Sequence, residues 1–145
     1  MVIEQLLTSF FAAAGFGVLF NAPKKTLIQA GVVGMLGWII YYMLVYYGVD
    51  AVPATVLASV VIAILSQLFA KMYRTPIIIF NVSGIIPLVP GGLAYDAMRN
   101  FVENDYSTAV QYAAKAFLIS GAIAIGLVFS EVINQMIRKS KWKRI

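Results

Sequence analysis

The chain has 145 residues, of which 61% are hydrophobic and only 12% charged, and it carries a net charge of +5. A soluble domain carries about 25% charged residues. Too little polar side chain remains here to cover a soluble surface, so lipid is the expected solvent. The positive charge could suggest a nucleic-acid partner, but its distribution argues otherwise, because the basic residues fall at the ends of apolar blocks.

Neither cysteine nor histidine is present. Disulfides, thiol chemistry and the commonest metal ligand and proton shuttle are therefore absent. No G-x-x-x-x-G-K-[ST] string occurs, so the chain supplies no nucleotide energy of its own. No hydrolase, kinase or metal motif occurs either, and a membrane-embedded enzyme is a poor reading. No cofactor is expected.

The chain divides into apolar blocks of about 20 residues, the length that spans a bilayer. Block one runs from about Ile3 to Phe20 and is closed by Asn21 and Pro23. It lacks a basic leader, so it reads as a retained span and not a cleaved signal peptide. Block two runs from about Thr26 to Tyr47 and is closed by Gly48. Its Trp38, Tyr41, Tyr42, Tyr46 and Tyr47 read as an interfacial aromatic belt. Block three runs from about Pro53 to Ala70. Pro53, and Pro76 before the next block, suit the first turn of a helix.

Block four, about Pro76 to Ala94, has the apolar character of a span, but prolines and glycines interrupt it. Backbone freed by proline at membrane depth must be satisfied against protein or a water-filled cavity. Broken helices of this kind hold substrates in transporters. A short amphipathic helix is expected between Asp96 and Tyr112, either at the surface or over the mouth of a pathway. Asp105 or Ser107 would cap the helix that follows. Block five runs from about Ala113 to Ile133 and precedes a basic tail.

The fold class is therefore an all-α integral membrane protein of about five transmembrane helices in one polytopic domain, residues 1–145, with no internal repeat. If all five blocks cross, one side collects Lys24, Lys25, Lys71, Arg74, Arg138, Lys139, Lys141, Lys143 and Arg144, nine of the eleven basic residues. The positive-inside rule makes that side cytoplasmic, with the N-terminus outside and the C-terminus inside.

Four constellations are candidates for chemistry or packing. Pro87, Pro90, Gly91 and Gly92 would break the helix and start a new half-helix. Its free N–H groups would attract a carboxylate. The competing reading is a packing kink. Asn81 and Ser83, with Gln29 and Gln67, could bind an ammonium or hydroxyl group, or could simply link helices. Asp96 and Arg99 could pair on one helix face and act in gating or proton coupling. Lys115 could meet a substrate carboxylate, or snorkel to the interface. Ala13 with Gly17, Ala54 with Ala58, Ala122 with Gly126, and Gly31, Gly34 and Gly37 read as ordinary helix packing.

The string IPLVPGGLAYDAM, Ile86 to Met98, resembles the threonine/serine exporter family, and specifically the short membrane subunit of its two-gene version. The order of features is similar too: plain spans, a proline-rich span ending in PGG, a short polar helix, a long span and a basic tail. The resemblance carries Pro87, Pro90, Gly91 and Gly92 as the signature. It implies ion-gradient-driven export of small amino acids across the bacterial cytoplasmic membrane. It also implies a larger partner subunit. A related two-gene system implies dicarboxylates such as succinate as an alternative substrate. A non-transporting scaffold subunit is the rival function, and a chain forming the pathway alone would do so as a homo-oligomer.

Overall fold

The computed structural model describes residues 1–142, with side chains as far as Lys139. Lys143 and Arg144 of the expected basic tail lie outside the described residues, as does the side chain of Lys141. The described residues form helices and no strand. The helices are α1 (Val2–Leu19), α2 (Leu27–Tyr46), α3 (Ala51–Tyr73), α4 (Ile78–Ile85), α5 (Gly91–Val102) and α6 (Tyr106–Trp142). Single 3-10 turns at Lys24–Thr26 and Ile86–Leu88 lead into α2 and out of α4.

Four helices, α1, α2, α3 and α6, are long and apolar enough to cross a membrane. A fifth crossing is formed if the segments Ile78–Leu88 and Gly91–Val102, bent by 50°, make one broken span. The protein is thus an all-α membrane protein with four to five spans.

The chain ends its helices where the sequence offers a left-handed residue. Asn21 (φ 56°), Gly48 (φ 90°) and Asn104 (φ 64°) follow α1, α2 and α5. At each, the next amide reaches back to the last turn: Ala22 to Gly17, Val49 to Leu44 and Asp105 to Asn100. This is the Schellman closure, which satisfies carbonyls a helix end would otherwise orphan. Asp50 opens α3 by accepting from the Val52 amide at 3.1 Å, with Pro53 in the first turn.

Two features differ from the sequence expectation. The amphipathic helix occupies Gly91–Val102 and begins at the PGG string, not after it. It packs chiefly along α6 and does not cover the bundle. The last helix starts at Tyr106, seven residues before Ala113. Asp105 is its cap, accepting from the Thr108 amide at 3.2 Å. Residues 106–112 are too polar to register as a span, but a helix continuing into water needs no apolar run.

Small residues set the helix crossings, because bare backbone lets helices approach closely. A Cβ on Gly34 would collide with Ala13, and one on Gly37 with Ile62. One on Gly126 would overlap the Ser59 hydroxyl and lie 2.8 Å from the Val56 carbonyl oxygen. Ala13, Ala54, Ala58 and Ala122 are all buried. The packing reading of these residues therefore holds. The apolar core is Ala30 and Val33 of α2, Ala58 and Ile62 of α3, Phe80, Leu88, and Ile119 and Ile123 of α6. It is assembled around α4, which is wedged among α1, α2 and α3.

Candidate functional site

The break between α4 and α5 has a local cause. Proline disfavours helical geometry in the residue before it. Val89, which precedes Pro90, is extended at φ −61°, ψ 127°. Ile86, which precedes Pro87, stays helical at φ −51°, ψ −45°. Pro87 alone is thus absorbed into a 3-10 turn, and Pro90 ends the segment.

A cleft of about 210 Å³ opens at this break. Pro87, Pro90 and Gly92 line it, with Trp38 and Tyr41 of α2, Thr55 of α3 and Ile119 of α6 around them. Its polar groups are few and mostly engaged. The Trp38 indole donates to Gln5 Oε1 at 2.8 Å, and the Thr55 hydroxyl to the Ala51 carbonyl at 2.7 Å.

The first turn of α5 supplies the free donors. The Gly91 amide donates to the Val89 carbonyl at 2.8 Å, and the Ala94 amide to Pro90 at 3.1 Å. No backbone carbonyl accepts from Gly92 or Leu93, and both residues line the cleft. The two residues whose N–H groups are free at the positive end of the helix thus border a small concavity, an arrangement suited to an anion. A Cβ on Gly91 or Gly92 would meet nothing within 4 Å. The glycines here leave open space and are not demanded by packing.

The other candidate residues go elsewhere. Ser83 is buried and lines a second cavity, of about 280 Å³, with Asn21, Ala22 and Pro23 after α1 and Ile79 and Val82 of α4. That cavity lies at the end of the bundle where Lys24, Lys25, Lys71 and Arg74 cluster. Asn81 lines neither cavity, and its Oδ1 is buried without a donor. Lys115 is exposed on α6 and does not line the cleft, although Ile119 one turn later does. Arg99 pairs with Glu103 at 3.0 Å and not with Asp96. An i,i+4 partner was available in the next turn. Asp96 uses its backbone carbonyl to accept from Asn100 Nδ2 at 2.7 Å.

Trp38 and Tyr41 are the cleft residues that sequence reasoning assigned differently, as part of an interfacial belt. Tyr46 and Tyr47 are exposed as such a belt requires. Trp38 and Tyr41, about one and a half to two and a half turns earlier, are half-buried and line the cleft. The polar tether from Trp38 to Gln5 is a pairing that no local pattern announces. Among the described residues no group of three or more His, Cys, Asp or Glu side chains could hold a metal ion.

A family model described as Threonine/Serine exporter, ThrE, matches residues 5–133. The chain is 26% identical over 135 residues to a threonine/serine exporter of Corynebacterium glutamicum, covering 93% of this chain and 27% of that protein. It is 31% identical over 102 residues to an uncharacterized protein of Haemophilus influenzae, covering 70% of this chain and 34% of that one. The chain thus spans about a third or less of these curated relatives. No solved structure matches it.

Proposed function

The chain belongs to the threonine/serine exporter family, and on that premise we propose that it is the membrane subunit of a secondary exporter of small carboxylate-bearing solutes, threonine and serine first among them. The cleft at the helix break carries this reading. The solute's carboxylate sits against the free Gly92 and Leu93 amides, where the dipole of α5 favours negative charge. The apolar walls from Trp38, Leu88 and Ile119 exclude water and strengthen those hydrogen bonds. At about 210 Å³ the cleft is smaller than the ~300–1,000 Å³ of drug-sized pockets, which suits a small solute.

The basic end of the bundle faces the cytoplasm of a bacterium, by the positive-inside rule. The cavity at Ser83 then opens inward and the cleft lies toward the outside. Tight packing around Gly84 separates them, so passage requires the broken span to move. The relatives are about three times longer or more than the matched region. In this reading a larger partner subunit completes the pathway. The same observation favours the second reading, a scaffold subunit whose partner holds the whole pathway.

The test is efflux from bacteria loaded with threonine or serine as dipeptides. Cells would express the chain alone or together with its larger subunit. Efflux only with both would support the two-part exporter. Succinate efflux without amino-acid efflux would move the substrate to dicarboxylates. Efflux from the larger subunit alone would establish the scaffold reading.

A further inference from the structure

One polar constellation in the bundle lies outside both cavities. Gly84 of α4 marks a tight point of the core: a Cβ there would lie 2.7 Å from Val33 of α2 and 3.0 Å from Ile62 of α3. Helices α2 and α4 run the same way through the bundle, and α3 runs against them. Residues three or four positions along a helix return to the same face. One turn toward the basic end from this contact, the same face carries Gln29 on α2, Ser66 on α3 and Asn81 on α4. Gln29 Oε1, Ser66 Oγ and Asn81 Oδ1 are each buried and each lack a donor.

Buried acceptors without donors oppose folding. A serine or threonine in a helix ordinarily satisfies itself on a carbonyl one turn back. Thr55, Ser59 and Ser120 do so here, at 2.7, 2.9 and 2.9 Å. Ser66, which is fully buried, does not, and neither does Ser130 of α6. Three neutral acceptors on three helices are therefore each one turn from the Gly84 contact, on the side of the basic end.

We propose that Gln29, Ser66 and Asn81 receive the primary ammonium group of the solute. This rests on the reading that the solute is an amino acid. An alkylammonium offers three N–H donors and no acceptor, which matches three acceptors. No Asp or Glu lies on α2, α3 or α4, so a bare cation would be buried without countercharge. A zwitterion brings its own. Asn81 and Leu88 are seven residues apart, roughly 10 Å along the axis. One small zwitterion cannot touch both this triad and the cleft. The triad is thus a second station, on the inner side of the Gly84 contact.

Thermal unfolding of the purified protein in detergent tests this. The probes are L-threonine, methylammonium chloride, 3-hydroxybutyrate (threonine without its amino group), sodium chloride and choline chloride, whose cation has no N–H. Threonine raises the unfolding midpoint most; methylammonium, which brings no countercharge, raises it less; 3-hydroxybutyrate, whose carboxylate fits only the cleft, also stays below threonine, and sodium and choline do not raise it. Asn81→Leu weakens the two probes that carry a primary ammonium about tenfold, the loss of one hydrogen bond to a charged group. Ser66→Ala weakens them less. Gln67→Leu, off that face, leaves them unchanged. Asn81→Asp keeps an acceptor and retains binding, so it controls for misfolding of the leucine variant. The site is overturned if 3-hydroxybutyrate protects as well as threonine, if sodium protects where methylammonium does not, if no probe shifts the wild type, or if Asn81→Leu folds and binds threonine normally. Methylammonium protection that Asn81→Leu removes, in a protein that exports no amino acid in cells, would overturn the exporter reading and leave this site standing. Threonine efflux undiminished in Asn81→Leu would do the reverse.

Discussion

The two halves of the broken span use the same residue types to opposite ends. In α4, Phe80, Ser83 and Gly84 are buried, and Gly84 sits where two side chains leave no room for a third. In α5 no residue is buried, and Gly91 and Gly92 face open space. One half is anchored in the bundle and the other is strapped chiefly to α6. A glycine cluster in a membrane helix is therefore not one signal. Gly84 is small where helices meet, while Gly92 borders open space that no side chain fills.

The largest expected effect separates these roles. Gly92→Leu meets no protein atom as it leaves the backbone, so the protein still inserts and folds, but it adds bulk to a residue that lines the cleft. Export measured by solute efflux falls to background while membrane abundance is unchanged. Wild-type efflux from this variant would detach the cleft from function. Next, Leu88→Ala removes a core side chain that is only 5% exposed. It should cost about 2–5 kcal/mol of stability. Tyr95→Ala, on exposed α5, should stay within about 0.5 kcal/mol. Both are read from thermal unfolding in detergent, and equal losses would erase the contrast. Gly84→Ala forces its Cβ onto Val33 and Ile62, at about 1–3 kcal/mol. Gly91→Ala is neutral or slightly stabilising by comparison, because alanine is the better helix former.

The smallest effect lies at the turn between α5 and α6. Hydrogen bonds from the Thr108 hydroxyl and amide hold the Asp105 carboxyl below its ordinary value. A depressed carboxylate contributes stability above its unfolded pKa, near 3.9, and loses it as pH falls through the folded value. The α5–α6 turn should therefore loosen only below about pH 4. Asp105→Asn should flatten that dependence. Amide exchange at Thr108 reports it locally.

The sequence made the spans legible because their apolar length and their left-handed terminators, Asn21 and Gly48, are local properties. The break at Pro90 was legible for the same reason. Its consequence for Gly92 followed from the chemistry of a helix start. Lys115 was a fair candidate by residue type, and it shares a helix face with Ile119, but it stands one turn nearer the start of α6, exposed and short of the cleft that Ile119 reaches. Trp38 was misassigned because belt and cleft use the same aromatic residues, and only packing against α1 decides between them. Gln29 and Asn81 were visible as polar residues at depth. Their alignment with Ser66 depends on how three helices are offset along their axes. Periodicity within one helix reports its face and says nothing of that offset.

The 37 residues of α6 make it about 55 Å long, against roughly 30 Å of hydrocarbon. Helix α3 runs parallel to it, and Gly126 meets Val56 and Ser59. The start of α3 is thus level with the region around Ile119. The first turns of α6, with α5 along them, reach roughly 15–20 Å past that level. The turn at Glu103–Asp105 is the tip of this mast. An epitope inserted at Asn104, in the turn between α5 and α6, would leave the buried core undisturbed. Its accessibility to antibody in intact cells would read out, in one step, which face of the membrane the mast occupies.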